Sequence, residues 1–342
     1  MQTKSILASV LPALLLTASF AGADTFYVSS IGYNNVEKIT ADGTSSVFAS
    51  SYAGNPYGIA FDSAGNVYVV NSYGFNHIEK FSAAGTHLAT ITATNEYLYS
   101  PIGIVFDPAD NFYVAYSGNA TIEKFSASGT DLGVFAHTES RSQPNPLAMD
   151  AAGNLYAGNN VTHDIQKFTP SGAGSVFINL SNQPGGLAFD SAGNLYVSFG
   201  ALNLIEKFSA AGADLGPFAQ TNLNSPQGLA FDSDGNLYAA NHDSIAKFTP
   251  AGVGSIFATN GLLYPTEIGI AQDVFSVDIK SFAGLILKNG KIGSNYLIQA
   301  TASLASSNWV TLTNVTLPTK PYIYIDYNSY TNSQQFYRAV PQ

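Results

Sequence analysis

Pro226-Gln-Gly-Leu-Ala-Phe-Asp-Ser-Asp-Gly-Asn-Leu-Tyr-Ala-Ala-Asn-His-Asp-Ser-Ile-Ala-Lys-Phe248 states in full a unit that the chain repeats. Its central strand, of the type Phe-Tyr-Val, begins at residues 26, 67, 112, 155, 195 and 237. Each copy is followed by a strand of the form Ile-x-Lys-Phe, at 36–39, 78–81, 122–125, 165–168, 205–208 and 245–248. The copies recur every 40 to 45 residues, the length of one four-stranded propeller blade.

Ahead of the central strand runs an apolar segment opened by proline, at 56–62, 101–107, 184–190 and 226–232, with a looser copy at 144–150. Proline suits a strand start where no ladder N–H is needed, and the small residues behind it suit a strand crowded around an axis. Between the two strands comes Asp-Ser-Ala-Gly-Asn or a variant, at 62–66, 150–154, 190–194 and 232–236. There Asp closes the turn through its side chain and Gly supplies positive φ. The Asp-x-Asp-Gly version at 232–235 has the look of a calcium loop, but the rest of an EF-hand loop is missing, so it reads as a turn. A second glycine turn follows Ile-x-Lys-Phe, at Gly43, Gly85, Gly129, Gly172, Gly212 and Gly252, and leads into an outer strand.

The chain enters this repeat at a central strand, Phe26, and the inner strand that would complete that blade appears only at 265–270. The expected fold is all-β: a six-bladed β-propeller over residues 24–273, closed by one C-terminal inner strand joining three N-terminal ones. Such closure removes free sheet edges. A β-rich tail, 274–342, reads as a small sandwich-like domain with strands at 283–287, 296–300, 309–312, 322–326 and 336–340 and Trp309 in its core. It resembles a short β module that closes many exported bacterial proteins.

Residues 1–23 carry Lys4, an apolar run from Ile6 to Leu16 and the small-residue step Ala21-Gly22-Ala23, the pattern of a signal peptide cleaved before Asp24. The run is too short for a membrane-spanning helix, and no later segment is apolar for long enough. Export to the periplasm, cell surface or medium is the expectation. A net charge of −10 argues against nucleic acid, which is held by basic surfaces. Zero cysteines exclude disulfides and thiolate chemistry, so rigidity must come from the core; 342 residues, 46% hydrophobic, suffice for that.

The motif P-x-G-[IL]-A-[FM]-D-x-x-G-N-[LVF]-Y, over about residues 26–271, resembles the NHL-repeat six-bladed propellers, and more distantly the gluconolactonase and streptogramin-lyase propellers. The step that names the first group survives only as Asn76-His77-Ile78. The gluconolactonase resemblance implies a carboxylate, an Asn and an Asp around calcium, whose motifs are not matched residue by residue. No H-E-x-x-H, P-loop or G-x-S-x-G signature occurs.

Residues present in every blade, such as the Lys of Ile-x-Lys-Phe, read as scaffold, and function is expected on the longer, variable loops of one face. Immediately after each central strand stand Ser30, Asn71, Tyr116, Asn159, Phe199 and Asn241. As a ring around the axis, Asn71, Tyr116, Asn159, Phe199 and Asn241 would hold a carbohydrate, peptide or protein ligand by amides and stacking; as strand-exit residues they would be structural. Glu267 replaces the glycine found at Gly58, Gly103, Gly186 and Gly228, which sets a carboxylate near the channel mouth. His163, Asp164, His242 and Asp243 lie in neighbouring loops. Glu267 and His242 are the catalytic candidates, and Glu267, Asn159 and Asn241 the ligands for a divalent cation, calcium, in the central channel. The leading expectation is a non-catalytic binding scaffold; the alternative is a metal-dependent lactonase or lyase.

Overall fold

A computed structural model describes residues 24–271 apart from 51–53, 73, 75 and 95–98, and beyond 271 the backbone of six strands. Ala23–Val274 form one compact unit, built of six four-stranded antiparallel sheets. Blade 1 runs Pro56–Phe61, Val67–Asn71, His77–Phe81 and His87–Ile91; blade 2 runs Pro101–Phe106, Phe112–Tyr116, Thr121–Phe125 and Asp131–His137. Blade 3 is Pro144–Met149, Leu155–Asn159, Asp164–Phe168 and Gly174–Asn179, and blade 4 is Leu187–Phe189, Leu195–Phe199, Leu204–Phe208 and Asp214–Ala219. Blade 5 is Leu229–Phe231, Leu237–Ala240, Ile245–Phe248 and Gly254–Ala258. Blade 6 takes Pro265–Ala271 from the far end and Thr25–Ser30, Asn35–Ile39 and Ser45–Ala49 from the near end.

The central strands are buried along their whole length, because each lies between two neighbouring blades. That is why they read as continuous apolar runs rather than as alternation. The hydrophobic core is correspondingly divided among the seams. Tyr68, Val70 and Ile78 of blade 1 pack on Ile104, Phe112 and Tyr116 of blade 2, and Phe26 and Val28 of blade 6 pack on Tyr238, Ala240 and Ile245 of blade 5. The Phe of each Ala-Phe-Asp step stands edge-on to the Tyr of the preceding blade, as in Tyr156–Phe189 at 4.8 Å and Tyr196–Phe231 at 5.0 Å. Such pairs add to plain area burial.

The recurring charges of the repeat form one network in each of blades 1 to 5. Asp190 Oδ1 accepts the N–H groups of Ala192 and Asn194, while Oδ2 accepts the Asn194 amide and the Tyr196 hydroxyl. Lys207 lies 3.3 Å from the same carboxylate and 4.9 Å over the Tyr196 ring. Equivalent sets centre on Asp62, Asp107, Asp150 and Asp232. Burial alone would raise the carboxyls of Asp62, Asp107, Asp150 and Asp190, but the turn hydrogen bonds hold them below the usual range. The Asp-x-Asp-Gly step at 232–235 belongs to this series, with Asp232 closing its turn on Asp234 and Asn236.

Around the axis the inner strands crowd each other. A β-carbon on Gly58 would collide with the carbonyl of Ile102, one on Gly103 with that of Asn145, and one on Gly186 with that of Gln227. In blades 4 and 5 the regular strand begins at Leu187 and Leu229, three residues after the motif's proline. The backbone still pairs there irregularly, through Gly185 N–H to Ser198 O and Gln227 N–H to Ala240 O. Gly103→Ala is expected to destabilise the propeller by about 2–3 kcal/mol, since backbone and not a flexible side chain must give way. A chemical denaturation midpoint equal to wild type would show that the strands are looser than this.

Beyond the propeller, Val277–Lys280, Gly284–Leu287 and Tyr322–Ile325 form one three-stranded antiparallel sheet. Asn295–Thr301, Val310–Thr316 and Phe336–Pro341 form another. Trp309 lies outside the described residues. Among the described residues no helix is long and apolar enough to cross a membrane.

Candidate functional site

Strand register fixes the two faces of the disc. In blade 1 Pro56 is opposite Asn71, and Asn71 opposite His77, so the longer loops gather at that end; Phe61, Val67 and Phe81 meet at the other, with the glycine turns.

The ring expected at the mouth is not there. Ser30, Asn71, Tyr116, Asn159, Phe199 and Asn241 are all 1% exposed or less. Asn71 Oδ1 accepts the Gly54 N–H, and Asn241 Oδ1 accepts that of Asn224 while its amide donates to Asn222 O. The Asn159 amide donates to Asp164, which also receives the Thr162 hydroxyl. Tyr116 and Phe199 fill seams of the core. The last residue of each central strand thus points into its seam, where an amide can hold the loop arriving from the preceding blade.

What lines the axis instead is the residue after each inner-strand proline: Tyr57, Ile102, Asn145, Gly185, Gln227 and Thr266, joined by Gly58 and Glu267. The cavity they enclose has a volume of about 20 Å³, room for about one water molecule. Thr266 and Ser29 tie it to blade 1: their hydroxyls lie 3.0 Å apart, Thr266 donates to Pro56 O, and Ser29 donates to Tyr57 O.

Glu267 supplies the one carboxyl in this lining. Its carboxyl lies over Gly228, so that a β-carbon there would collide with Oε1, and it receives the N–H of Ile268 at 3.2 Å. Burial without a cation pushes its pKa up to about 8, against which the single backbone hydrogen bond does little. At neutral pH it is mostly the neutral acid.

His242 does not line the cavity. It sits on the outer loop with its ring edge-on to Tyr264 at 4.3 Å. Glu267 and His242 are therefore not assembled as an acid/base pair around the axial space. Nor do Asn159 and Asn241 reach it, being held in their own seams, so the calcium donor set of Glu267, Asn159 and Asn241 does not form. Calcium takes six to eight oxygens, several of them usually carboxylate; this lining offers one carboxyl, Glu267, beside Thr266, Gln227 and Asn145. Among the described residues no three His, Asp or Glu side chains converge as metal ligands.

The surface around the mouth is different in kind. Tyr33, Tyr99, Val161, Leu202 and Tyr264, all on the longer loops, are 47–57% exposed. These loops are fixed by a device that sequence reasoning passed over: Asn34, Asn76 and Asn203, two residues before the Ile-x-Lys-Phe strand, adopt φ of 51°, 48° and 50°. Their Oδ1 atoms accept the N–H of Asn55, Ser100 and Ser225 in the incoming interblade loop. In blade 2 the left-handed residue at this offset is Ala120, and Asn119 before it accepts the Tyr99 N–H at 2.7 Å. The Asn of Asn76-His77-Ile78 is thus a loop clamp, and its fixed offset from the strand was the available signal.

The sequence matches no family model and no curated protein. Solved structures share the fold. A chain of a nidogen–laminin complex superposes with a TM-score of 0.63 at 19% identity, over 73% of this chain and 98% of that one. A protein of unknown function from Bacteroides caccae gives 0.57 at 16%, covering 73% of this chain and all of its own, 100%. Virginiamycin B lyase from Staphylococcus aureus gives 0.51 at 14%, over 70% of this chain and 79% of that one. The chain is a six-bladed propeller whose neighbours in fold include both a binding assembly and a lyase.

Proposed function

We propose that the chain is an exported binding propeller that presents its long-loop face to an extracellular carbohydrate, peptide or protein. The observation that carries this reading is the set of exposed apolar and aromatic side chains Tyr33, Tyr99, Val161, Leu202 and Tyr264, on loops clamped by Asn34, Asn76 and Asn203 or tied through the backbone, Val161 N–H to Ser142 O and Tyr264 N–H to His242 O. Exposed groups on rigid loops bind at low entropic cost. A chain of this build occurs in a nidogen–laminin complex, which supports protein binding as a use of the fold.

The axial space argues against the lactonase or lyase alternative. Ligand pockets for organic substrates run to about 300 Å³ or more, whereas this cavity is about 20 Å³. Export rests on residues 1–23, and the mature chain is expected to begin at Asp24.

The test is a screen of the secreted protein, its start checked by intact mass, against neutral glycans, basic and acidic peptides and lactones, with and without a chelator. Binding without turnover is expected, weakened about tenfold or more in a triple variant Tyr99→Ala, Leu202→Ala, Tyr264→Ala. Chelator-sensitive turnover of a lactone would overturn the reading.

A further inference from the structure

Five of the six inner-strand prolines are preceded by a residue in the left-handed region: Asn55, Ser100, Gln143, Ser225 and Tyr264, with φ between 50° and 57°. The first four are polar residues. Tyr264 is a bulky aromatic in a conformation that such residues rarely adopt, and the proline after it further restricts its backbone. Strain of this kind persists only where the surroundings impose it, and it gathers at ligand clamps.

The surroundings here do impose it. Tyr264 N–H donates to His242 O at 2.9 Å, and Tyr264 O accepts the N–H of Ile31. Leu263 O accepts the Gly32 N–H at 3.0 Å and the Ser30 hydroxyl at 2.6 Å, and Leu263 N–H donates back to Ser30 Oγ. Gly32 lies so close to Leu263 that a side chain at 32 would clash with it. The loop carrying Tyr33 is therefore laid directly against the loop carrying Tyr264. Both rings stand out of the surface, 57% and 47% exposed, and the His242 ring forms a second wall at 79° to Tyr264. Asp243, next in the chain, is exposed.

The charges of the propeller narrow the ligand. All six lysines of residues 24–271 lie over the tyrosine of their own central strand, where five also pair with the turn aspartates at the other face. Arg141 is the one other Lys or Arg in that range, and the whole chain carries −10. Aromatic rings set at a steep angle, with an exposed acidic residue next in the chain and a negative net charge, favour a cation at the ring faces.

Resting on the binding reading above, we propose that Tyr33, Tyr264, His242 and Asp243 form a site for an alkylammonium or guanidinium group, the Lys or Arg side chain of a basic peptide segment. Calorimetric titration of the full chain uses three probes: a tetralysine peptide, the same peptide with its side-chain amines acetylated, and a neutral glucan tetrasaccharide. Tetralysine should bind about tenfold more tightly than the acetylated peptide, and Tyr264→Ala, Tyr33→Ala and Asp243→Asn should each weaken it about 3–10-fold, while Tyr264→Phe retains it. Tyr264→Asn should raise the melting temperature by about 2–4 °C, by relieving the backbone, and still lose binding. A Tyr264 of merely structural importance would leave binding unmoved. Equal binding of the acetylated peptide, or preference for the glucan, would overturn the proposal. So would tetralysine binding that survives Tyr264→Ala and Tyr33→Ala but falls with Tyr99→Ala; that outcome would spare the long-loop face as platform, whereas binding untouched by all three would remove both.

Discussion

Ending the chain after residue 258 is expected to lower the melting temperature of the propeller by about 10–20 °C relative to a chain ending after residue 272, or to abolish cooperative unfolding. The shorter chain loses Pro265–Ala271, the strand that pairs with Thr25–Ser30 from Thr25↔Ala271 to Ser30↔Pro265. Ile268 and Ile270 go with it, and Phe26 and Val28 lose their cover. Four apolar side chains at about 1.5–3 kcal/mol each come to roughly 6 kcal/mol or more, comparable with the net stability of a domain. At about 2–4 °C per kcal/mol the shift follows. An open ring also exposes a strand edge, so concentration-dependent association should accompany the loss. Equal melting of the two chains, followed by circular dichroism, would mean that this strand does not close the ring.

The second large effect concerns Glu267. Its folded-state pKa of about 8 lies above its ordinary value of 4.5, so between those values the folded chain binds more protons than the unfolded one. For a carboxyl raised in this way stability is greatest below about pH 4.5 and falls as pH rises towards 8. At about 1.4 kcal/mol per unit the span approaches 5 kcal/mol; allowing for water in the channel, about 3 kcal/mol is expected. Burial, joined by the nearby Asp131, raises Glu123 to about 7 in the same direction. The pH dependence of Glu267→Gln should therefore be flatter by about 3 kcal/mol over this window, with Glu37, Glu123 and Glu206, all raised by burial, contributing to the residual slope. A variant whose urea midpoint tracks wild type from pH 5 to 9 would show that the carboxylate is solvated.

The repeat was legible because its strands and turns are local. Asp190 closes its turn on Asn194, Tyr196 and Lys207 within a few residues or one strand, so the pattern is written in a short window. Closure was legible from order alone, since a blade entered at Phe26 leaves 265–270 to complete it. Glu267 stood out for breaking a glycine position, and it does lie at the axis. The direction of Asn71 and Asn241 was not legible, because it depends on loops arriving from the neighbouring blade, as in Asn241 to Asn222 and Asn224; that of Asn159 depends on Asp164 across its own loop. The actual lining varies from Tyr57 to Gly185, with no shared residue type to mark it. The strain at Tyr264 is likewise invisible without φ.

The central claim is that ligand meets the long-loop face and leaves the axial cavity and the turn face untouched. Hydrogen–deuterium exchange of the full chain, with and without the tightest binder from the screen, tests it directly. Protection is predicted at 31–34, 99–100, 160–163, 200–203 and 261–264, with no change in the turns at 62–66, 107–111, 150–154, 190–194 and 232–236. Protection confined to those turns, or to the inner strands around Glu267, would contradict the account.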